Sequence, residues 1–307
     1  MDLSVQLAPG HEPGLFLINP VMTASGTFGY ATEYQHLFDI QRLGAIICKG
    51  TTLEPRQGNP QPRIAETAAG MLNSIGLQNI GVEALIREKA PVWASWRVPA
   101  VVNIAGETVD DYARIAGKLD NVPGVSALEV NISCPNIQAG GAEFGTEPDT
   151  AAMVTAAVKA ATSLPLIVKL TPNVSDICRI ATAVVEAGAD ALCLINTLRG
   201  MAIDIRQCRP VLGTVTGGLS GPAIKPVALA MVYQVAGAVG VPIIGCGGIL
   251  TADDALEFIM AGASAVQVGM GNFTNPRAPL DVLEGIERFL VQQGIEHIAG
   301  ITGVARR

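Results

Sequence analysis

Leu128-Glu129-Val130-Asn131-Ile132-Ser133-Cys134-Pro135-Asn136 is the stretch whose reading decides the fold. It opens as a strand: Leu128, Val130 and Ile132 alternate with Glu129 and Asn131, the period-2 pattern of a chain whose successive side chains point to opposite faces. It stops at Pro135, which offers no N–H to a central ladder and biases the residue before it away from helix. Cys134 therefore sits just past the C-terminal end of a strand. Asn131 and Asn136 flank it with carboxamides, each carrying paired donors and an acceptor.

Working outward, apolar strand-like runs recur near 17–22, 45–48, 100–104, 127–132, 165–169, 191–195, 243–246 and 265–268. Helical periodicity falls between and after them, over 31–38, 80–90, 108–119, 150–162, 175–187, 225–239, 251–261 and 279–293. Thr108, Ser175 and Thr251 stand where N-caps belong. Eight short apolar strands alternating with eight helices predict a parallel sheet covered on its outside. Closed into a ring, this is a (β/α)8 TIM barrel, a fold that usually needs about 250 residues. The 307 residues are read as one domain, 1–307, with the surplus in extended loops after strand 2 (50–80) and strand 4 (134–149). A doubly wound open sheet is the alternative, but its Gly-rich first turn is missing.

The composition suits a compact core, with 49% hydrophobic and 15% charged residues, and the formal charge of −7 argues against a nucleic-acid binder. The first 14 residues carry Asp2, His11 and Glu12 and lack the basic start of a signal peptide. A charge-free run of 27 residues, Pro226 to Ala252, is long enough for a membrane span. Gly240, Pro242, Gly245, Gly247 and Gly248 divide it, so a buried helix, a loop and a buried strand account for it better. Six cysteines, at 48, 134, 178, 193, 208 and 246, show neither a CxxC pair nor zinc or iron–sulfur spacing, and read as reduced thiols of a cytoplasmic protein. Cys178 and Cys193 read as core filler; Cys48 and Cys246 neighbour motifs and stay open.

In a barrel of this kind the chemistry sits at the C-terminal strand ends. Those positions hold Ser25, Lys49, Asn103, Asn131, Lys169, Asn196, Gly247-Gly248 and Gly269. Lys49 and Lys169 each end a strongly apolar run and must find an anion or acceptors, or snorkel to the rim. Gly247-Gly248 runs toward a helix start at Thr251, and Val268-Gly269-Met270-Gly271 follows the last strand; such loops and helix N-termini bind phosphate. Asn73, Asn103, Asn131, Asn136 and Asn196 suit a heterocycle with amide edges, although any one of them could be a turn residue. His11, His36 and His297 lie away from the strand ends, which leaves Cys134 as the candidate base. No His/Cys/Asp/Glu spacing suggests a metal.

Asn19-Pro-Val-Met-Thr-Ala-Ser-Gly-Thr-Phe-Gly29, Lys49-Gly-Thr-Thr, Asn59-Pro-Gln-Pro-Arg63, Asn73-Ser-Ile-Gly-Leu-Gln-Asn79, Asn131-Ile-Ser-Cys-Pro-Asn136, Val168-Lys-Leu-Thr-Pro-Asn173, Gly218-Leu-Ser-Gly-Pro-Ala-Ile-Lys225 and Gly247-Gly-Ile249 together resemble the dihydroorotate dehydrogenase family, from about residue 3 to 300. Cysteine at 134 is similar to the soluble class 1, and the GTT and GLSGPAIKPVAL segments to class 1B, the catalytic subunit of an NAD-dependent complex. Cys246 departs from the methionine usual before Gly247.

The resemblance implies oxidation of (S)-dihydroorotate to orotate in pyrimidine biosynthesis, with Cys134 taking the C5 proton and FMN the C6 hydride. It implies FMN binding by Ser25, Lys49, Gly50, Asn103, Asn131, Lys169, Ile195, Gly221, Gly247, Gly248, Gly269 and Met270. It implies substrate contacts from Lys49, Asn73, Ser74, Ile75, Gly76, Leu77, Asn131, Asn136, Asn196 and Thr197. It further implies a homodimer of this chain joined to an iron–sulfur flavoprotein subunit carrying FAD and a [2Fe-2S] cluster, a heterotetramer that passes electrons to NAD+. Three rivals stay open: a class 1A-like homodimer using fumarate, a phosphate-binding barrel with a covalent cysteine nucleophile, and a non-catalytic binding barrel.

Overall fold

The computed structural model describes residues 1–12, 14–133 and 143–306. Eight strands form the central sheet: β1 (Val21–Thr23), β2 (Ile46–Ile47), β3 (Ala100–Ile104), β4 (Ala127–Asn131), β5 (Leu166–Leu170), β6 (Ala191–Leu194), β7 (Ile243–Cys246) and β8 (Ala265–Val268). They run in the order β1-β8-β7-β6-β5-β4-β3-β2, with every neighbouring pair parallel. A parallel bridge between Met22 and Ala45 joins the two ends, reinforced by Gly44 N–H donating to Val21 O at 2.8 Å. The sheet is therefore a closed (β/α)8 barrel, as the alternation of elements predicts.

Closure buries both faces of every strand. Leu128, Val130 and Ile132 pack outward with helix residues such as Tyr112, Ile115 and Val154. Ala127 faces the interior with Val101, Ile167, Ala191, Ile244 and Ala265. Glu129, with no exposed surface, shares that inward parity. The polar members of the deciding stretch thus point into the barrel rather than to solvent.

The helices outside the ring are Val82–Glu88 with Ala90–Trp93, Val109–Leu119, Pro148–Ala161, Ile177–Glu186, Lys225–Val235, Ala252–Ala261, and Gly271–Thr274 with Ala278–Gln293. Thr108 and Thr251 cap as expected, each in a reciprocal box with an aspartate three residues on. Ser175 does not: Asp176 caps instead, its Oδ1 accepting from Cys178 N at 3.0 Å and Arg179 N at 3.3 Å. The expected helix over 31–38 is a series of turns. Gly29 and Ala31 hold positive φ (56° and 68°), which an α-helix cannot contain, and stacking of Phe28 on Tyr34 at 4.0 Å draws the segment inward. The expected strand over 17–22 divides at Asn19-Pro20. Phe16–Leu17 pairs with Val5–Gln6 as a hairpin, whose Leu7, Ala8, Leu15 and Leu17 pack against the barrel interior.

The surplus chain builds a second structure. Ile64–Thr67 and Gly70–Asn73, after β2, join Leu198–Gly200 and Gly217–Ser220, after β6, in a four-stranded antiparallel sheet. The long excursion after β6 is absent from the sequence expectation, because Gly217-Gly218-Leu219-Ser220 carries no apolar alternation. The charge-free run resolves into Lys225–Val235, a loop and β7. No helix among the described residues is long and apolar enough to cross a membrane.

Candidate active site

A cavity of about 770 Å³ opens at the C-terminal strand ends, within the range of cofactor pockets. Its wall includes Ser25, Lys49, Gly50, Asn103, Asn131, Lys169 and Ile195 from the barrel, and Asn73, Ser74, Ile75, Gly76, Leu77, Asn196 and Thr197 from the loops. Gly221, Gly247, Gly248, Gly269 and Met270 complete it. Every described residue singled out as a site candidate therefore lines one space. Cys134 and Asn136 lie outside the described residues.

The floor is a buried polar network. Glu129 Oε1 accepts from Asn103 Nδ2 at 2.7 Å, and Glu129 Oε2 from Gln267 Nε2 at 2.5 Å. Lys169 Nζ donates to Gln267 Oε1 at 2.9 Å and stands 3.7 Å from Glu129. Burial acts to pull the Lys169 ammonium down, but the sulfurs of Cys193 and Cys246 and the Glu129 carboxylate outweigh it, so the group is held above its ordinary range and cationic. Lys49 differs: it is half-buried, and no carboxylate among the described residues pairs with its ammonium. The two strand-end lysines are thus one paired cation in the floor and one available cation in the wall.

Around them the asparagines are pre-oriented. Asn196 Nδ2 donates to Asn131 Oδ1 at 3.1 Å and Ser133 Oγ at 3.0 Å, while its Oδ1 accepts from Thr197 N. Asn131 Oδ1 also accepts from Ser133 N, which leaves its Nδ2 without an acceptor among the described residues. Asn73 Nδ2 donates to Gly218 O at 3.2 Å, tying the loop after β2 to the excursion after β6. Ser74 Oγ is buried with no partner among the described residues, a cost normally met by a ligand or water. Asn79 supports this loop from behind, its amide bonding Thr52, Leu77 and Gly81.

The glycine arc differs in one respect from the expectation. At the start of the helix Ala252–Ala261 a carboxylate is already in place: Asp254 accepts from the N–H groups of Leu250 and Thr251 and pairs with Lys225. The free donors of the arc lie on either side of this helix in the chain. No acceptor among the described residues takes the N–H of Gly247, Gly248, Gly269 or Met270. Gly248 sits at φ +74°, and a Cβ there would meet Lys225 Cβ at 2.7 Å and Gly221 O at 2.8 Å. Gly248→Ala should therefore lose about 1–3 kcal/mol of stability and purify with little ligand in this arc; urea unfolding and the bound-cofactor ratio measure both effects.

The cysteines now separate. Burial pushes the Cys48 thiol up to about 12, so it is core filler. Cys193 also lies inside the barrel and is pushed up by burial. Cys246 lines the cavity, 3.9 Å from Lys169 Nζ. A hydrogen bond from Cys193, opposed by burial and aided by Lys169, pulls it down to about 7. Cys178 is half-buried and Cys208 exposed.

Sequence reading missed Glu129 and Gln267, although parity with Asn131 within β4 points Glu129 inward. It also missed Glu143, whose carboxylate accepts from Arg199 Nη2 at 2.8 Å and Thr171 Oγ1 at 3.1 Å on the cavity wall.

The profile of the dihydroorotate dehydrogenase family matches residues 11–290. Over 302 residues the chain is 57% identical to the dihydroorotate dehydrogenase B (NAD(+)) catalytic subunit of Pelobacter propionicus, covering 98% of each chain. It is 59% identical to the protein of the same name from Trichlorobacter lovleyi, covering 94% of this chain and 95% of the relative. With that of Desulforudis audaxviator the identity is 58%, over 96% of each.

Proposed function

The chain belongs to the dihydroorotate dehydrogenase family, and from that premise we propose that its cavity binds FMN and oxidises (S)-dihydroorotate to orotate in pyrimidine biosynthesis, as the catalytic subunit of an NAD+-linked complex. The observation that carries this reading is the donor set of the cavity. Unpartnered backbone N–H groups at Gly247, Gly248, Gly269 and Met270 suit a phosphate. The buried cation Lys169 and the outward amides suit a polar ring system. Gly221 keeps the arc closely packed beside the cavity, since a Cβ there would lie 2.3 Å from Met270 Sδ.

When bound, FMN supplies the hydride acceptor for C6 of the substrate. The remaining roles belong to side chains of this chain. Cys134, in the stretch that follows β4, takes the proton from C5. Lys169 holds positive charge in the floor and would offset the negative charge of a reduced flavin bound there. Ser25, Gly50, Asn103, Ile195 and Gly221 complete the FMN wall. Lys49, with no carboxylate partner among the described residues, offers a counter-charge to the substrate carboxylate. Asn73, Asn131, Asn136 and Asn196, with Ser74 to Leu77 and Thr197, hold the ring by its amide edges.

The relatives' shared name, "catalytic subunit", supports a partner. We assign the onward relay to an iron–sulfur flavoprotein subunit with FAD and a [2Fe-2S] cluster, bound to a homodimer of this chain in the cytoplasm. The cysteine spacing of this chain suits no such cluster. Anaerobic mixing with dihydroorotate should bleach the bound flavin, and the isolated chain should reduce NAD+ poorly until the partner is added. Absence of bleaching would sink the substrate assignment. Rapid fumarate turnover without a partner would move the chain to the homodimeric, fumarate-using type.

A further inference from the structure

Both oxygens of Glu129 are committed inside the barrel, to Asn103 Nδ2 of β3 and Gln267 Nε2 of β8. A carboxylate only accepts hydrogen bonds, so each amide must turn its NH2 toward Glu129 and its oxygen away. The Gln267 oxygen then receives Lys169 Nζ at 2.9 Å. The Asn103 oxygen receives nothing from the described residues, and it lies 3.0 Å from the position a Cβ would take at Gly50, on the cavity wall.

We propose that Glu129 is a positioning residue that sets the hydrogen-bond polarity of the cavity floor. Through two amides it presents an acceptor, Asn103 Oδ1, in the same floor as a cation, Lys169. That pair complements a ligand edge bearing an imide N–H and an electron-rich carbonyl or ring nitrogen, as on the pyrimidine portion of a flavin. The inference rests on the flavin reading above and deepens it: Glu129 touches no ligand but decides what Asn103 offers one.

Replacement by the isosteric amide makes the dependence visible. In Glu129→Gln the new NH2 must face one of two existing donors, so Asn103 or Gln267 turns over. The wall then presents N–H where it presented oxygen, or Lys169 loses its acceptor. The double variant Asn103→Asp/Glu129→Gln restores the pattern without changing net charge. Its new amide at position 129 donates to the new carboxylate at position 103 and accepts from Gln267. The second oxygen of that carboxylate then faces the cavity.

The test titrates apoprotein with FMN and with FMN methylated at its imide nitrogen, read by flavin fluorescence, with circular dichroism confirming the fold. Wild-type protein should prefer FMN by about tenfold or more, Glu129→Gln should lose both that preference and about tenfold in FMN affinity, and the double variant should regain the preference. Equal binding of the two flavins by wild-type protein overturns the proposal. So does a folded Glu129→Gln protein with unchanged affinity and preference, or a folded double variant without preference. If neither variant folds, neutron diffraction of the wild-type protein decides: the Asn103 NH2 turned to Glu129 is expected, and the NH2 turned to the cavity overturns the proposal. Failure of wild-type apoprotein to bind FMN at all defeats the flavin reading instead.

Discussion

Cys134→Ala should purify yellow and bind orotate normally, yet its flavin should bleach with dihydroorotate about 10²–10⁴-fold more slowly than wild type. The substitution removes one sulfur from the segment after β4 and leaves the arc at Gly247-Gly248 and the Lys169 floor intact, so binding and chemistry should part. Stopped-flow bleaching under anaerobic conditions measures the rate, and flavin content with an orotate titration checks the sites. An unchanged bleaching rate would place the base elsewhere. A slow rate coupled to lost flavin would make Cys134 a structural residue. Mass spectrometry of wild-type protein during turnover addresses the covalent-nucleophile rival, which alone requires an adduct on Cys134.

The second large effect is thermodynamic. Lys169→Met removes the cation from a pair whose side chains are 5% and 0% exposed and leaves Glu129 charged inside the barrel. Breaking one half of a buried pair costs about 3–5 kcal/mol, and urea unfolding of the apoprotein should show a loss of that size. Removing both halves in Lys169→Met/Glu129→Leu should recover much of it, because no charge remains to be solvated. A double-mutant cycle whose single variants are as stable as wild type would mean that water reaches the pair. Stability should recover when both halves are removed, whereas flavin binding should not, since it needs the Lys169 cation and the amide orientation that Glu129 sets.

Much of this was legible in the sequence, for identifiable reasons. Strands 100–104, 243–246 and 265–268 coincide with β3, β7 and β8, since continuous apolar runs bounded by turn residues are what a buried parallel strand requires. Thr108 and Thr251 were readable because a cap is a local device. The segment 31–38 was not, since the conformation of Ala31 is set by tertiary packing of Phe28 and Phe38 and leaves no periodic trace. In the site, strand-end positions revealed Lys169 and Asn131. Glu129 and Gln267 escaped, because a polar residue one layer below the strand end looks like the solvent-facing half of an alternation. Only ring closure turns that face inward. The phosphate expectation took in the helix start at Thr251 without the carboxylate that faces it, because the competition from Asp254 for the N–H groups of Leu250 and Thr251 depends on side-chain geometry.

The small antiparallel sheet above the barrel has a further consequence for how this scaffold can be altered. Its four strands come from two connections far apart in the chain, and Asn73 pairs with Gly218 at its centre. Neither connection is therefore an independent cassette. A graft that replaces 64–73 alone would leave Gly217–Ser220 with an open strand edge, a site for aggregation. Recombination between related barrels should succeed when both connections travel together from one parent. Chimeras with a crossover between them should express poorly even when every barrel strand is native.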